Sequence, residues 1–214
     1  MDERVLKKQI KELRPWYQEI DFGNGVIAKS AHSKLSGEYA WKYIKQLLPK
    51  SLEGKRVLDI GSNGGLFSIR TAQMGARKVI GLEQEPKHLR QCAFLKDYFG
   101  TKNVRFINQD LNLLPSVDIG KFDYILAISV LYWVGRPGVV KKGTHYSKVY
   151  RDKEVKFIEH VTKLSDNFIV RARGTKYNSA DYYGNIFNNF GFDCTKVINE
   201  GVGSHELMRF ERRV

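Results

Sequence analysis

Two acids and a glycine turn carry most of the chemistry available to this sequence. The run Val57-Leu58-Asp59-Ile60 stops at Gly61-Ser62-Asn63-Gly64-Gly65, and a second run, Val79-Ile80-Gly81-Leu82, ends in Glu83-Gln84. A strand that delivers its backbone to a glycine-rich turn lets a ligand approach closely. A carboxylate about 20 residues further on, at the end of the next strand, is placed to take ribose hydroxyls. The pattern points to a nucleoside-containing cofactor. A dinucleotide requires G-x-G-x-x-G so that its pyrophosphate can sit against a helix start. Here Gly61 can be the first glycine, but Asn63 and Leu66 occupy the other two places. No His/Cys metal cluster, Ser-His-Asp order or phosphate-binding loop is present, so hydrolase, kinase and metal-centre readings have no support.

What remains is Asp59-x-Gly61 with Gly64-Gly65 behind it. This resembles the first motif of the class I S-adenosylmethionine-dependent methyltransferases, acid-x-Gly-x-Gly-x-Gly. Asp59, Gly61 and Gly65 match, and Asn63 stands where the middle glycine usually lies. The resemblance implies that S-adenosyl-L-methionine binds along Asp59, Gly61, Ser62, Asn63 and Gly65. It puts the methionine ammonium on Asp59 and the ribose on Glu83 beside Gln84. It also places Asp110 near the adenine amino group, Leu111 on the ring, and Ser129 under the methionine end. A local alternative for Asp110 is a turn or helix-capping residue.

A narrower likeness lies in Trp16-Tyr17 ahead of an Ile-Asp-x-Gly turn, Phe122-Asp123, and Val130-Leu131-Tyr132. Together with the glycine motif these resemble the branch containing the tRNA wobble-uridine carboxymethyltransferase, over roughly residues 15 to 134. The chain departs from that branch at Trp133, where a histidine is common, so no role of that histidine carries over. Ordinary S-adenosylmethionine is the cofactor expected.

Methyl transfer is an in-line displacement at a sulfonium and chiefly needs proximity and orientation. A base matters only where the acceptor must lose a proton. Tyr132, His145, Tyr146 and Tyr177 are the candidates, Tyr132 with a second reading as a pocket wall. Arg171 and Arg173 close the fifth strand, and guanidinium forks suit an anionic acceptor. Trp16 and Tyr17 either stack on a base or fold over the cofactor, or else they anchor the first helix. Tyr132, Trp133 and Tyr146 would be the aromatic walls for a small acceptor.

The elements that must position these residues follow from periodicity. Leu6, Ile10, Leu13 and Tyr17 make a stripe over a helix at 4–17. A second helix is expected from Ser36 as N-cap to Leu48, ahead of Pro49. The chain then alternates: strands at 56–60, 78–82, 104–107, 122–128 and 167–171, with helices at 65–74, 85–98, 152–164 and 180–190. Two late strands follow, at 193–198 and 206–210. That order predicts an α/β fold, a Rossmann-like doubly wound sheet of seven strands with an antiparallel edge. Residues 1–36 form an N-terminal helical extension and 37–214 the cofactor domain. A basic insertion at about 135–156 holds seven cationic residues against Asp152 and Glu154. It is read as a lid over the acceptor pocket, with a solvated insertion as the alternative.

The 214 residues carry 36 Lys plus Arg against 23 Asp plus Glu, a formal charge of +13. Such an excess favours polyanions. RNA, in particular tRNA, is the acceptor expected. A small-molecule O- or N-methyltransferase and a cofactor-binding regulatory module without turnover are the alternatives. Cys92 and Cys194 have neither metal-ligand spacing nor a disulfide framework, and no apolar run is long enough to span a bilayer. A reducing cytoplasm is the location expected; oligomeric state is not encoded in any motif.

Overall fold

Pro15 decides how the chain begins. A computed structural model of the protein describes residues 1–32, 36–116, 118–135, 148–201 and 205–214. The first helix, α1 (Glu3–Glu12), is capped by Asp2, whose carboxylate accepts from the Arg4 and Val5 N–H groups, and it buries Leu6 and Ile10. It stops short of the expected 17 because proline has no N–H to continue the ladder and disfavours helical geometry in the residue before it. Trp16 and Tyr17 therefore lie beyond the helix. The strands β1 (Ile20–Asp21) and β2 (Ile27–Ala28) pair antiparallel around the 22–25 turn.

The next helix, α2 (Glu38–Ile44), is also shorter than expected, and its N-cap is Gly37 rather than Ser36. Gly37 has φ +71°, and a Cβ there would lie 2.0 Å from the Glu19 carbonyl oxygen, so only glycine fits. The Ser36 hydroxyl instead donates to the Tyr17 carbonyl at 2.7 Å.

Alternation follows: β3 (Arg56–Ile60), α3 (Leu66–Gln73), β4 (Lys78–Glu83), α4 (Pro86–Tyr98) and β5 (Val104–Asn108). The three strands run parallel, with Asp59 opposite Gly81 and Glu83 opposite Asn108. Residues 1–36 pack within the same compact unit, Met1–Gln109. Gln91 of α4 donates to the Leu13 and Pro15 carbonyls, and Tyr98 donates to the Phe22 carbonyl. Gln18 accepts from the Leu66 N–H at the start of α3.

The second unit, Asp110–Val214, opens with a 3-10 turn at Leu111–Ser116, then β6 (Tyr124–Ile128) and a short 3-10 turn at Leu131–Trp133. Next come α5 (Lys148–Val161), β7 (Asn167–Ala172), α6 (Ala180–Asn189), β8 (Phe192–Asn199) and β9 (Glu206–Arg212). The α5 helix begins four residues before the expected start at 152, so the later part of the expected basic insertion is helical. Its Glu154, counted among the acids of the expected insertion, is buried and accepts from the Tyr182 and Tyr183 hydroxyls at 3.1 and 2.8 Å.

The seven strands form one sheet in the order β5-β4-β3-β6-β7-β9-β8. At its edge β9 runs antiparallel to both β7 and β8, so the late pair closes the sheet as expected. Among the described residues no helix is long and apolar enough to cross a membrane.

Candidate active site

At the end of β3 the backbone is held in left-handed geometry at three positions: Gly61 at φ +68°, Asn63 at +52° and Gly65 at +91°. Asparagine is among the few non-glycine residues that visit this region at modest cost. That explains Asn63 in place of the middle glycine. Its side chain also serves the turn, accepting from the Gly64 N–H at 2.7 Å. The Ser62 N–H donates to the Leu82 carbonyl at 2.8 Å, and the Gly65 N–H returns to the Ser62 carbonyl at 2.9 Å. A Cβ on Gly65 would lie 2.7 Å from the Phe106 ring, so the close packing of the turn on β5 demands glycine.

Glu83 closes this arrangement. One carboxylate oxygen accepts from the Asn63 N–H at 2.8 Å, and the other accepts from Gln84 and Glu85 N–H groups at 2.9 Å each. His88 of α4 lies 3.7 Å from the second oxygen and 3.4 Å from the Asn63 amide. Burial pushes the carboxyl upward in pKa, but His88 and the backbone N–H bonds outweigh it, so Glu83 titrates below its ordinary value. It stays ionised, and the three N–H bonds leave about one of a carboxylate's four lone-pair sites open. Gln84 is exposed beside it. His88 is not among the residues that sequence reasoning singles out, although a histidine in the first turn of α4 is a signal available in sequence.

Asp59 is corrected. It is 1% exposed and accepts from the Ser68 hydroxyl at 2.7 Å, tying β3 to α3 rather than presenting a carboxylate to an ammonium group. Burial pushes its pKa up to about 7, opposed by the Ser68 hydrogen bonds. Between about pH 4 and 7 the folded chain therefore retains a proton that the unfolded chain has released. The associated stability is complete at low pH and is lost as pH rises through 7. The upper limit of the effect is about 4 kcal/mol. Asp59→Asn should flatten this dependence: urea unfolding at pH 5 and pH 8 should differ by a few kcal/mol less than in the parent. An unchanged difference would show that Asp59 does not bear this proton.

Of the two readings of Trp16, its surroundings favour the anchor. It is 1% exposed, donates its indole N–H to the Ile10 carbonyl at 2.9 Å, and meets Phe22 edge-on. It is the anchor of the N-terminal segment, not a stacking platform. Tyr17 is more open, at 38% exposure, with its ring centre 5.3 Å from that of His32.

In the second unit Asp110 accepts at one oxygen from both the backbone and side-chain nitrogens of Asn112, at 2.9 and 2.8 Å. It thereby starts the 3-10 turn in which Leu111 sits half-buried. Ser129, past the end of β6, has φ +57°. Its N–H donates to the Arg171 carbonyl, and its hydroxyl oxygen accepts from the Arg171 guanidinium, both at 3.1 Å.

Arg171 is the second correction. Instead of reaching for an acceptor it is buried and forms a fork-to-fork pair with Glu200, at 2.5 and 2.8 Å. Glu200, unforeseen and 29 residues away, is itself buried. Arg173 is exposed, its guanidinium 4.9 Å from the centre of the Tyr132 ring. Tyr132 is 5% exposed and Trp133 46%, their rings 5.4 Å apart. His145 and Tyr146 lie outside the described residues, as do 136–144 and 147 of the expected lid.

Residues 51–189 match the family described as a methyltransferase domain. A tRNA U34 carboxymethyltransferase of Hahella chejuensis is 28% identical over 134 residues, covering 61% of this chain and 39% of that protein. The chain spans well under half the length of the curated relatives it matches. Among solved structures, the N-terminal domain of EvdMO1, crystallised in the presence of SAH and D-fucose, superposes with a TM-score of 0.71. It is 15% identical, and the match covers 100% of this chain and 98% of that one. Magnesium protoporphyrin IX methyltransferase from Synechocystis PCC 6803, solved with bound SAM, gives 0.60 at 21% identity over 82% of this chain and 76% of that one. The chain belongs to the class I S-adenosylmethionine-dependent methyltransferases, and within them it resembles the tRNA U34 carboxymethyltransferases.

Proposed function

We propose that this chain transfers a methyl group from S-adenosylmethionine to RNA, with tRNA as the acceptor class. The arrangement of Glu83 with Asn63 carries the cofactor half of this reading. An ionised carboxylate with spare acceptor capacity, fixed beside a glycine turn, suits a ribose diol. Gly61, Ser62, Asn63, Gly65 and Gln84 would line the nucleoside. Asp110, Leu111 and Ser129 are the residues that the family pattern assigns to the same cofactor. When bound, the cofactor supplies an electrophilic methyl on a sulfonium. The chain's own contribution is orientation. Asp59 acts one step back, fixing β3 against α3 beneath the turn. Residues 37–214 constitute the methyltransferase domain in this reading, with 1–36 fastened onto it by Trp16.

The charge of +13 and the relatives named tRNA U34 carboxymethyltransferase favour the RNA acceptor. A small-molecule acceptor is the second reading, favoured by the exposed Trp133 beside Tyr132 and Arg173. Labelled-methyl transfer to unfractionated RNA against a metabolite extract separates the two. Label in RNA, with binding that weakens steeply as salt rises, is the expected result. Label in the metabolite pool alone would favour the small acceptor. Tight cofactor binding with label in neither would mark a regulatory module.

A further inference from the structure

The parallel strands β3, β4 and β5 carry the glycine turn and Glu83 at their carboxyl ends, and at their amino ends they gather cations. Arg56 opens β3 and pairs in register with Lys78, which opens β4. Arg77 precedes Lys78, while Lys102 and Arg105 flank the start of β5. With Asn103 and Val104 these side chains line a groove of about 420 Å³ that contains no Asp or Glu. Arg77, Lys78, Lys102 and Arg105 are exposed. None of these four has an ion-pair partner among the described residues.

The floor of the groove is fixed. The Arg77 and Lys78 N–H groups both donate to the Lys55 carbonyl, at 2.8 and 3.3 Å, and the Asn103 amide donates to the Ala76 carbonyl at 2.6 Å. Neighbouring strands lie about 4.8 Å apart, so these cations are held close enough to repel one another. A polyanion relieves that repulsion and releases its own counterions.

We propose that this groove docks the phosphate backbone of the RNA acceptor, as a second contact remote from the cofactor turn. The proposal rests on the RNA reading above. The lining residues say which part of the RNA is held. The one apolar residue, Val104, is buried, so there is neither an aromatic face for a base nor an apolar anchor for a bilayer. Contact is therefore to phosphates and independent of base sequence. The five residues of β3 separate the groove from the turn by about 16 Å, so only an RNA of several nucleotides engages both.

The test is Arg77→Gln/Lys102→Gln/Arg105→Gln, compared with Lys8→Gln/Lys11→Gln/Lys45→Gln as a control of equal charge change. Binding of unfractionated tRNA is measured over a range of salt concentrations. The groove variant should lose roughly tenfold or more in affinity near 0.1 M salt. Its log–log salt slope should fall by about 0.7–0.9 for each phosphate it no longer neutralises. Affinity for S-adenosylhomocysteine should not change, which also reports that the variant is folded. The control should keep the parental slope.

A parental slope in the groove variant, or an equal loss in the control, overturns the groove while leaving the RNA reading intact. A parent chain that binds no tRNA overturns the RNA reading itself. Parental binding to phosphatidylserine–phosphatidylcholine vesicles but not to tRNA, lost in the groove variant, overturns the proposal in favour of a membrane surface.

Discussion

Arg171→Met should destabilise the chain by about 3–5 kcal/mol, because it takes the guanidinium fork away from the buried carboxylate of Glu200. The pair is bidentate and both side chains are nearly inaccessible, 7% exposed for Arg171 and 0% for Glu200. A domain with a typical stability of about 5–15 kcal/mol loses a large share of it in this way. Removing both charges has the opposite logic. Arg171→Met/Glu200→Leu leaves no unpaired ion and replaces the pair with apolar volume, which is often neutral or stabilising. The double variant should therefore recover most of what the single variant loses in urea unfolding. Arg171→Lys should fall between, since an ammonium cannot reproduce the fork. A single variant as stable as the parent would show that Glu200 finds water or another donor.

The same guanidinium also touches Ser129, whose left-handed backbone and N–H bond to the Arg171 carbonyl fix how the chain leaves β6. Stability and the geometry of the β6 exit are thus coupled through one side chain.

Such pairings explain where sequence reading stops. The parallel strands are legible because each is a nearly continuous apolar run bounded by turn residues, and β3 has the expected bounds, Arg56–Ile60. The glycine turn is legible because left-handed backbone restricts residue choice. Asn63 becomes intelligible once its φ is known. Burial of individual polar groups is not legible. Asp59, Trp16 and Arg171 are all of the right type to touch a ligand, and each is consumed by a partner elsewhere in the chain: Ser68, the Ile10 carbonyl and Glu200. Nothing in local spacing distinguishes a carboxylate that faces a pocket from one that faces a helix. Helix ends are legible only where a strong local rule acts. Pro15 offers such a rule, yet the apolar stripe through Tyr17 outweighs it on sequence alone. Ser36 looks like a cap, but it is displaced by Gly37 because the Glu19 backbone leaves no room for a side chain.

Glu83→Ala should lower affinity for S-adenosylhomocysteine by about 10- to 100-fold, the equivalent of one charge-assisted hydrogen bond at about 1.5–3 kcal/mol. Two losses act together. The ribose hydroxyls lose a carboxylate that its surroundings keep ionised, since Glu83 titrates below its ordinary value. The turn loses the acceptor of the Asn63 N–H, which is the bond between the end of β4 and the left-handed residue of the turn. The Gln84 and Glu85 N–H groups lose the same acceptor, but both residues are exposed and water can replace it. The cost to folding should accordingly be modest, about 1–3 kcal/mol for the Asn63 N–H.

Glu83→Gln separates the two contributions. Its amide oxygen can still accept from a backbone N–H, but it cannot offer an anionic oxygen to a ribose hydroxyl. If the side chain chiefly holds the turn, glutamine should preserve most of the affinity. If it chiefly binds ribose, glutamine should lose nearly as much as alanine. Calorimetric titration of both variants, read beside their urea unfolding without ligand, distinguishes these cases. Parental affinity in Glu83→Ala would remove Glu83 from the cofactor site altogether. The expected outcome is that glutamine lies nearer alanine. Asn63 tolerates its backbone conformation by residue type and is held independently through its own bond to the Gly64 N–H, whereas the neighbouring acid, Glu85, is engaged as the N-cap of α4 on the Lys87 N–H.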